Sequence, residues 1–174
     1  MKLLYITNGI HGSGGLERVL AVKASYLAEY FDYEVVILTL NSDAKDLFYD
    51  FSPKISFYDI TVLGNPISYF LSYRKGIKRA LQKIKPDVIS VCDDGLKGML
   101  FPLIFGKKIP VIYERHVSKQ IENKSDNSSF KEILKAKIVF LIMDYGGNQF
   151  NKFVVLTNGS LKEWDLNNLM VIPN

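Results

Sequence analysis

Short apolar runs recur along the chain, separated by stretches in which apolar positions return every three or four residues. Leu3–Ile6 (LLYI), Val35–Leu40 (VVILTL), Val88–Val91 (VISV), Val111–Tyr113 (VIY) and Phe153–Leu156 (FVVL) are largely apolar at consecutive positions. Strands of this kind are buried on both faces, as in a parallel sheet covered by helices. Lys54–Ile60 (KISFYDI) alternates instead and is read as an edge or additional strand.

Between the runs, Leu16, Leu20, Ala24, Leu27 and Phe31 fall on one helical face. Ile67, Phe70, Leu71, Ile77, Leu81 and Ile84 repeat the pattern in a segment that Pro86 ends. A third helix is expected over Leu96–Phe105, kinked or shortened by Pro102. A fourth carries Phe130, Ile133, Leu134, Ile138, Leu141, Ile142 and Tyr145, and Gly146 and Gly147 close it. Strand and helix in alternation define an α/β fold: a doubly wound, mainly parallel sheet with helices on both faces, Rossmann-like. Ser118–Ser129 has no period and reads as a mobile loop. No repeat or linker divides residues 1–174, which suffice for one core.

Composition narrows the classes. With 48% hydrophobic and 23% charged residues the chain is globular, and no apolar run approaches the ~20 residues that span a bilayer. The N-terminal MKLLYITNG is too short for a signal peptide and reads as the first strand. Cys92 is the single cysteine, so no intrachain disulfide forms, and with two histidines the sequence has no zinc spacing. Cys92 is read as a packed side chain and the cytoplasm as the expected compartment. A net charge of +4 permits an anionic partner, but no nucleic-acid-binding signature is present and no nucleic acid is expected.

Thr7–Val19 (TNGIHGSGGLERV) places Gly9, Gly12, Gly14 and Gly15 between the first strand and the first helix. Ligands of open α/β sheets bind at this edge, and backbone N–H groups at a helix N-terminus hold phosphate or carboxylate. A plain strand-to-helix turn also uses glycine. The G-x-G-x-x-G fingerprint fails because Glu17 stands at its third glycine, and no Gly-Lys-Ser or Gly-Lys-Thr occurs. A dehydrogenase or P-loop NTPase is therefore disfavoured. Asp93 and Asp94 follow the fourth strand; adjacent carboxylates point apart, and before Gly95-Leu96-Lys97 they read as a helix N-cap. No Asp-x-Asp occurs, which argues against a metal-dependent transferase.

Gly14–Val19 (GGLERV) resembles the Gly-Gly-x-Glu-Arg signature that opens the N-terminal domain of family 4 glycosyltransferases, retaining enzymes of the GT-B fold. The resemblance continues through Tyr113–His116 (YERH), Phe153–Trp164 (FVVLTNGSLKEW) and Val171–Asn174 (VIPN), and so spans essentially the whole chain. It implies a single acceptor-side domain over residues 1–174, with a nucleotide-sugar-binding second domain expected beyond Asn174 and absent from the chain. Gly14 and Gly15 would let the backbone approach the donor diphosphate, with Gly9 and Gly12 serving the turn. His116 would face the donor sugar as the catalytic-side group, while His11, Glu17, Arg18, Arg115 and Thr157 belong to the acceptor or cleft. Arg115 could equally pair with Glu114 or Glu17, and Glu17 and Arg18 could be a solvated pair. Asn158-Gly159 departs from the acidic residue that similar enzymes carry after the sixth strand.

The resemblance implies no metal and no cofactor beyond a nucleotide-sugar donor. The acceptor would be a saccharide or lipid-linked molecule in cell-surface polysaccharide or glycan synthesis, and the isolated chain would be inactive. The alternative is a non-catalytic anion- or nucleotide-binding α/β module. Lys75, Lys78, Arg79 and Lys83 lie opposite the apolar stripe of the second helix, with Tyr69, Phe70 and Tyr73 near its start. They form either a solvated face or a peripheral contact with the anionic inner face of the cell membrane.

Overall fold

The computed structural model describes residues 1–42, 46–119 and 130–173, with 130–133 as backbone only. One parallel sheet contains β1 (Lys2–Ile6), β2 (Glu34–Leu40), β3 (Ser56–Ile60), β4 (Val88–Val91), β5 (Val111–Arg115), β6 (Lys152–Val155) and β7 (Leu169–Val171). Their order is β3-β2-β1-β4-β5-β6-β7. The order reverses beside β1, while every strand stays parallel to its neighbours: Leu4 lies in register with Val36 on one side and Ile89 on the other. The alternating segment is the edge strand β3, paired parallel to β2.

Among the described residues six helices connect the strands: α1 (Gly15–Tyr30), α2 (Pro66–Ile84), α3 (Leu96–Met99), α4 (Phe101–Phe105), α5 (Phe130–Gly147) and α6 (Asn158–Leu161). Side chains alternate across the sheet. Leu4 and Ile6 of β1 join the larger core under α2 to α5, with Ile77, Phe101, Tyr113 and Phe153. Leu3 and Tyr5 point the other way and meet Leu20, Ala24 and Ala28 of α1. Aromatic rings brace the larger core, with Phe153 4.9 Å from Tyr113 and 4.6 Å from Trp164 between centroids. On the opposite face α1 leaves an open trough of about 960 Å³, lined by Leu3, Val22, Ile112, Val154, Met170 and Ile172 among others.

The break expected near Pro102 and the end expected at Gly146-Gly147 are both found, each with its own structural reason, whereas the stripe of α2 is corrected. The third helix divides at Leu100 into α3 and α4, and Pro102 sits in the first turn of α4, where its missing N–H costs nothing. Gly146 and Gly147 end α5, but close packing requires them: a Cβ would stand 2.7 Å from the Met99 carbonyl oxygen and 2.8 Å from Leu166 Cδ1 respectively. The stripe of α2 is buried at Tyr73, Ile77, Ala80 and Ile84, whereas Ile67, Phe70 and Leu71 are 74%, 44% and 58% exposed. Tyr73 is thus a core residue and Tyr69 is half-buried, so neither is free for a membrane interface. The expected loop Ser118–Ser129 falls, from residue 120 onward, outside the described residues.

Candidate functional site

The loops after β1 and β4 meet where the strand order reverses, the place at which open α/β sheets bind ligands. Between them lies a cavity of about 430 Å³, whose walls include Gly9, His11, Gly12, Glu17, Asp93 and Lys97. The β4 loop is fixed first. Asp93, 3% exposed, accepts at Oδ1 from the Gly95 backbone N–H (2.9 Å) and from Asn8 Nδ2 (3.0 Å), and its own carbonyl accepts from Tyr113 Oη (2.7 Å). The N-cap of α3 is Gly95, so the aspartate ties the turn before the helix and does not cap it. Lys97 then bridges the two loops, donating to Asn8 Oδ1 (2.6 Å) and standing 3.3 Å from Asp93 Oδ2. This cation at the switch point escaped the sequence analysis; its signal was a lysine in the first turn of a helix that follows a central strand.

The glycine loop is shaped differently from the expectation. Among the described residues only Gly64 and Gly106 are glycines with positive φ, so none of Gly9, Gly12, Gly14 and Gly15 is there for a left-handed turn. A Cβ at Gly15 would meet nothing within 4 Å, and one at Gly9 would make ordinary contact with Ser42. At Gly12 and Gly14 a Cβ would approach the Glu17 carboxylate to 2.6 Å, the movable end of a flexible side chain. The turn role assigned to Gly9 and Gly12 therefore has no backbone basis. Gly14 is the N-cap of α1 and no side chain caps that end, which leaves the first N–H groups of a 16-residue helix facing the ligand edge.

The other predicted residues separate into groups. Gly15 and Arg18 line the trough on the α1 side, whereas His11 and Glu17 line the switch-point cavity. Thr157 is the N-cap of α6, accepting from the Ser160 N–H at 3.1 Å. Arg115 pairs with neither Glu114 nor Glu17. Its side chain, 2% exposed, donates to the carbonyls of Asp94 (2.7 Å) and Val117 (3.0 Å) and lies 3.5 Å from Asp94 Oδ1, binding two loops together. Burial raises the Asp94 carboxyl above its usual range, against the pull of Arg115 and His116.

Glu114 points from β5 to the opposite face of the sheet from Arg115, as strand alternation requires. Its carboxylate accepts from Ser90 Oγ (2.5 Å) and from the Lys23 ammonium of α1, and His116 Nε2 lies 3.8 Å away. Burial opposes the charged form, but the imidazole, the ammonium and the hydroxyl outweigh it and hold this carboxyl at about 2. Cys92 is fully buried beside the group, and burial pushes its thiol well up. The His116 side chain is only 6% exposed, turned inward toward Glu114, and lines neither cavity.

No family model and no curated protein matches the chain in sequence. Solved structures match its fold. The lipopolysaccharide outer core galactosyltransferase WaaB in its apo form superposes with a TM-score of 0.67 at 12% identity, over 100% of this chain and 46% of that one. Anabaena Alr3699/HepE in complex with UDP-glucose gives 0.62 at 14% identity, over 100% and 44%. UDP-GlcNAc 2-epimerase from Methanocaldococcus jannaschii gives 0.58 at 20% identity, over 100% and 46%. The fold is that of a Rossmann-like domain as found in GT-B proteins, and the chain spans less than half the length of these structures.

Proposed function

We propose that this chain is the acceptor-side domain of a retaining, family 4-type glycosyltransferase that moves a sugar from a nucleotide-sugar donor to a saccharide or lipid-linked acceptor. The observation that carries the proposal is the glycine loop. Four glycines stand at the ligand edge, none at positive φ and Gly15 with open space where a Cβ would be, so a closely approaching ligand accounts for them better than the turn does. The uncapped N-terminus of α1 and Lys97 supply positive potential for a diphosphate, and Glu17 swings aside as the anion arrives. No metal is needed for that neutralisation. His116 turns outward from Glu114 to meet the donor sugar in the closed complex.

A second domain completes the donor pocket. Transition-state stabilisation needs donor and acceptor held together, and a single half-cleft open to water does not position them. The 174 residues alone therefore fold, bind nucleotide sugar weakly and transfer nothing. Likeness to the lipopolysaccharide outer core galactosyltransferase WaaB supports a sugar-transfer setting in cell-surface glycan synthesis, and likeness to HepE, solved with UDP-glucose, supports a UDP-sugar ligand. Likeness to the 2-epimerase supports a second reading, chemistry on a UDP-sugar with no sugar acceptor.

Membrane contact fits the exposed face of α2, where Ile67, Phe70 and Leu71 are followed by Arg74, Lys75 and Lys78 at helical spacing, with Arg79 and Lys83 alongside. Among the described residues no helix is long and apolar enough to cross a membrane. The deciding experiment titrates UDP-, GDP- and ADP-sugars into the chain by calorimetry, then assays transfer and epimerisation with the chain joined to a nucleotide-binding second domain. Acceptor-dependent transfer with retained anomeric configuration is expected. Tight donor binding by the isolated chain, or turnover without an acceptor, would overturn the proposal.

A further inference from the structure

The folded chain brings together three residues that are scattered in sequence. Cys92 at the end of β4, Glu114 in β5 and His116 just after it each present one ligand atom, and these atoms all lie within 4.8 Å of one another. Cys92 and Glu114 are buried, at 2% and 8% exposure, and His116, half-buried as a residue, has a side chain only 6% exposed. Both ring nitrogens of His116 are buried without a hydrogen-bond partner among the described residues, and Nε2 faces Glu114 Oε2 at 3.8 Å. A buried imidazole that lacks a hydrogen bond and has only an ion-pair contact with a carboxylate, next to a thiol, is an arrangement that a bound cation would satisfy.

We propose that Cys92, Glu114 and His116 form a three-ligand site for a zinc-class divalent ion. Bonds of about 2.0–2.3 Å at tetrahedral angles put ligand atoms roughly 3.3–3.8 Å apart, so the His116–Glu114 separation of 3.8 Å already fits and the thiol, within 4.8 Å of both, has at most about 1.5 Å to close. The donor set of one sulfur, one imidazole nitrogen and one carboxylate oxygen selects zinc over magnesium or calcium, which take oxygen ligands. The fourth position is left to water. On binding, the Cys92 thiol gives its proton to solvent and the thiolate takes the ion.

Lys23 is the competitor. Its ammonium holds the same carboxylate oxygen that faces His116, and at 34% side-chain exposure it can withdraw to water when the ion enters. The trough, whose wall contains both Glu114 and Lys23, is the entry path. The site is defined by its ligands and tested by spectroscopy, apart from the glycosyltransferase reading; a bound ion holds His116 inward, so the metal-bound state and the state in which His116 meets a donor sugar exclude each other.

The test uses the untagged 174-residue chain after removal of metal by chelation, with Co²⁺ as the probe. One equivalent is expected to give tetrahedral visible bands and a thiolate charge-transfer band, both bleached by added Zn²⁺. Cys92→Ser is expected to lose the charge-transfer band, His116→Ala to weaken binding at least about tenfold, and Lys23→Gln to tighten it. Circular dichroism on each variant checks folding. The parent protein alone can overturn the proposal: a Co²⁺ spectrum without thiolate charge transfer, or no binding at equimolar concentration, refutes it whatever the variants do. Equal affinity in parent, folded Cys92→Ser and folded His116→Ala also refutes it.

Discussion

Replacing Gly98 by alanine strikes the switch-point cavity from behind, at its lining residue Asp93. A Cβ there would stand 2.4 Å from the Asp93 carbonyl oxygen, 2.8 Å from Asp93 Cβ and 3.1 Å from Asp93 Cγ. The oxygen is backbone and already accepts from Tyr113 Oη at 2.7 Å, so no flexible end can give way. Restoring normal contact requires a shift of roughly 1 Å in either α3 or the loop after β4, and such overpacking costs about 1–3 kcal/mol. Lengthening the buried Tyr113 bond adds about 1 kcal/mol, for a total near 2–4 kcal/mol. For a chain of this size that lowers Tm by about 4–16 °C, and urea unfolding should show the same loss at unchanged m-value. Gly15→Ala is the internal control: nothing lies within 4 Å of its Cβ, and it should be neutral or slightly stabilising. Equal stability of Gly98→Ala and parent, within about 0.5 kcal/mol, would refute the packing account of this loop.

Gly15→Val should fold with parent stability and lose donor affinity; unchanged affinity in the folded variant would remove this glycine from the ligand's path. His116→Ala, in the chain joined to a nucleotide-binding second domain as the proposed function requires, should lower turnover while the melting curve stays within a few degrees of parent, and full activity at saturating donor and acceptor would exclude it from the site. Replacing Lys75, Lys78, Arg79 and Lys83 by glutamine should abolish salt-sensitive binding to anionic vesicles, at about 1 kcal/mol per engaged cation. Sedimentation indifferent to both salt and these substitutions would leave α2 an ordinary solvated helix.

Strands that are apolar on both faces were legible because burial leaves them no polar positions to disguise their period, and β3 was legible because it alternates. β7 was not: Leu169–Val171 has three residues, none buried, and no periodicity can be read from so few. The first turns of α2 were misassigned because Ile67, Phe70 and Leu71 have the spacing of a core stripe but overhang the sheet. The ligand edge followed from the alternation of elements, and with it the loops that carry Asp93 and His116. Lys97 and the Cys92, Glu114 and His116 group did not follow, because they depend on which loops touch. One part was available: consecutive residues on a strand face opposite sides, so a Glu114–Arg115 pair could have been excluded from the sequence alone.

The trough beside α1 changes how this protein should be followed in solution. Dyes such as ANS, which brighten on apolar surface, are commonly taken to report loosened, partly folded states. Here Leu3, Val22, Ile112, Val154, Met170 and Ile172 present such a surface in the native fold. Dye emission should be high before denaturant is added and fall as the sheet comes apart. A bright sample is then a sign of intact structure, and purification or variant screening that discards bright fractions as misfolded would discard the native protein.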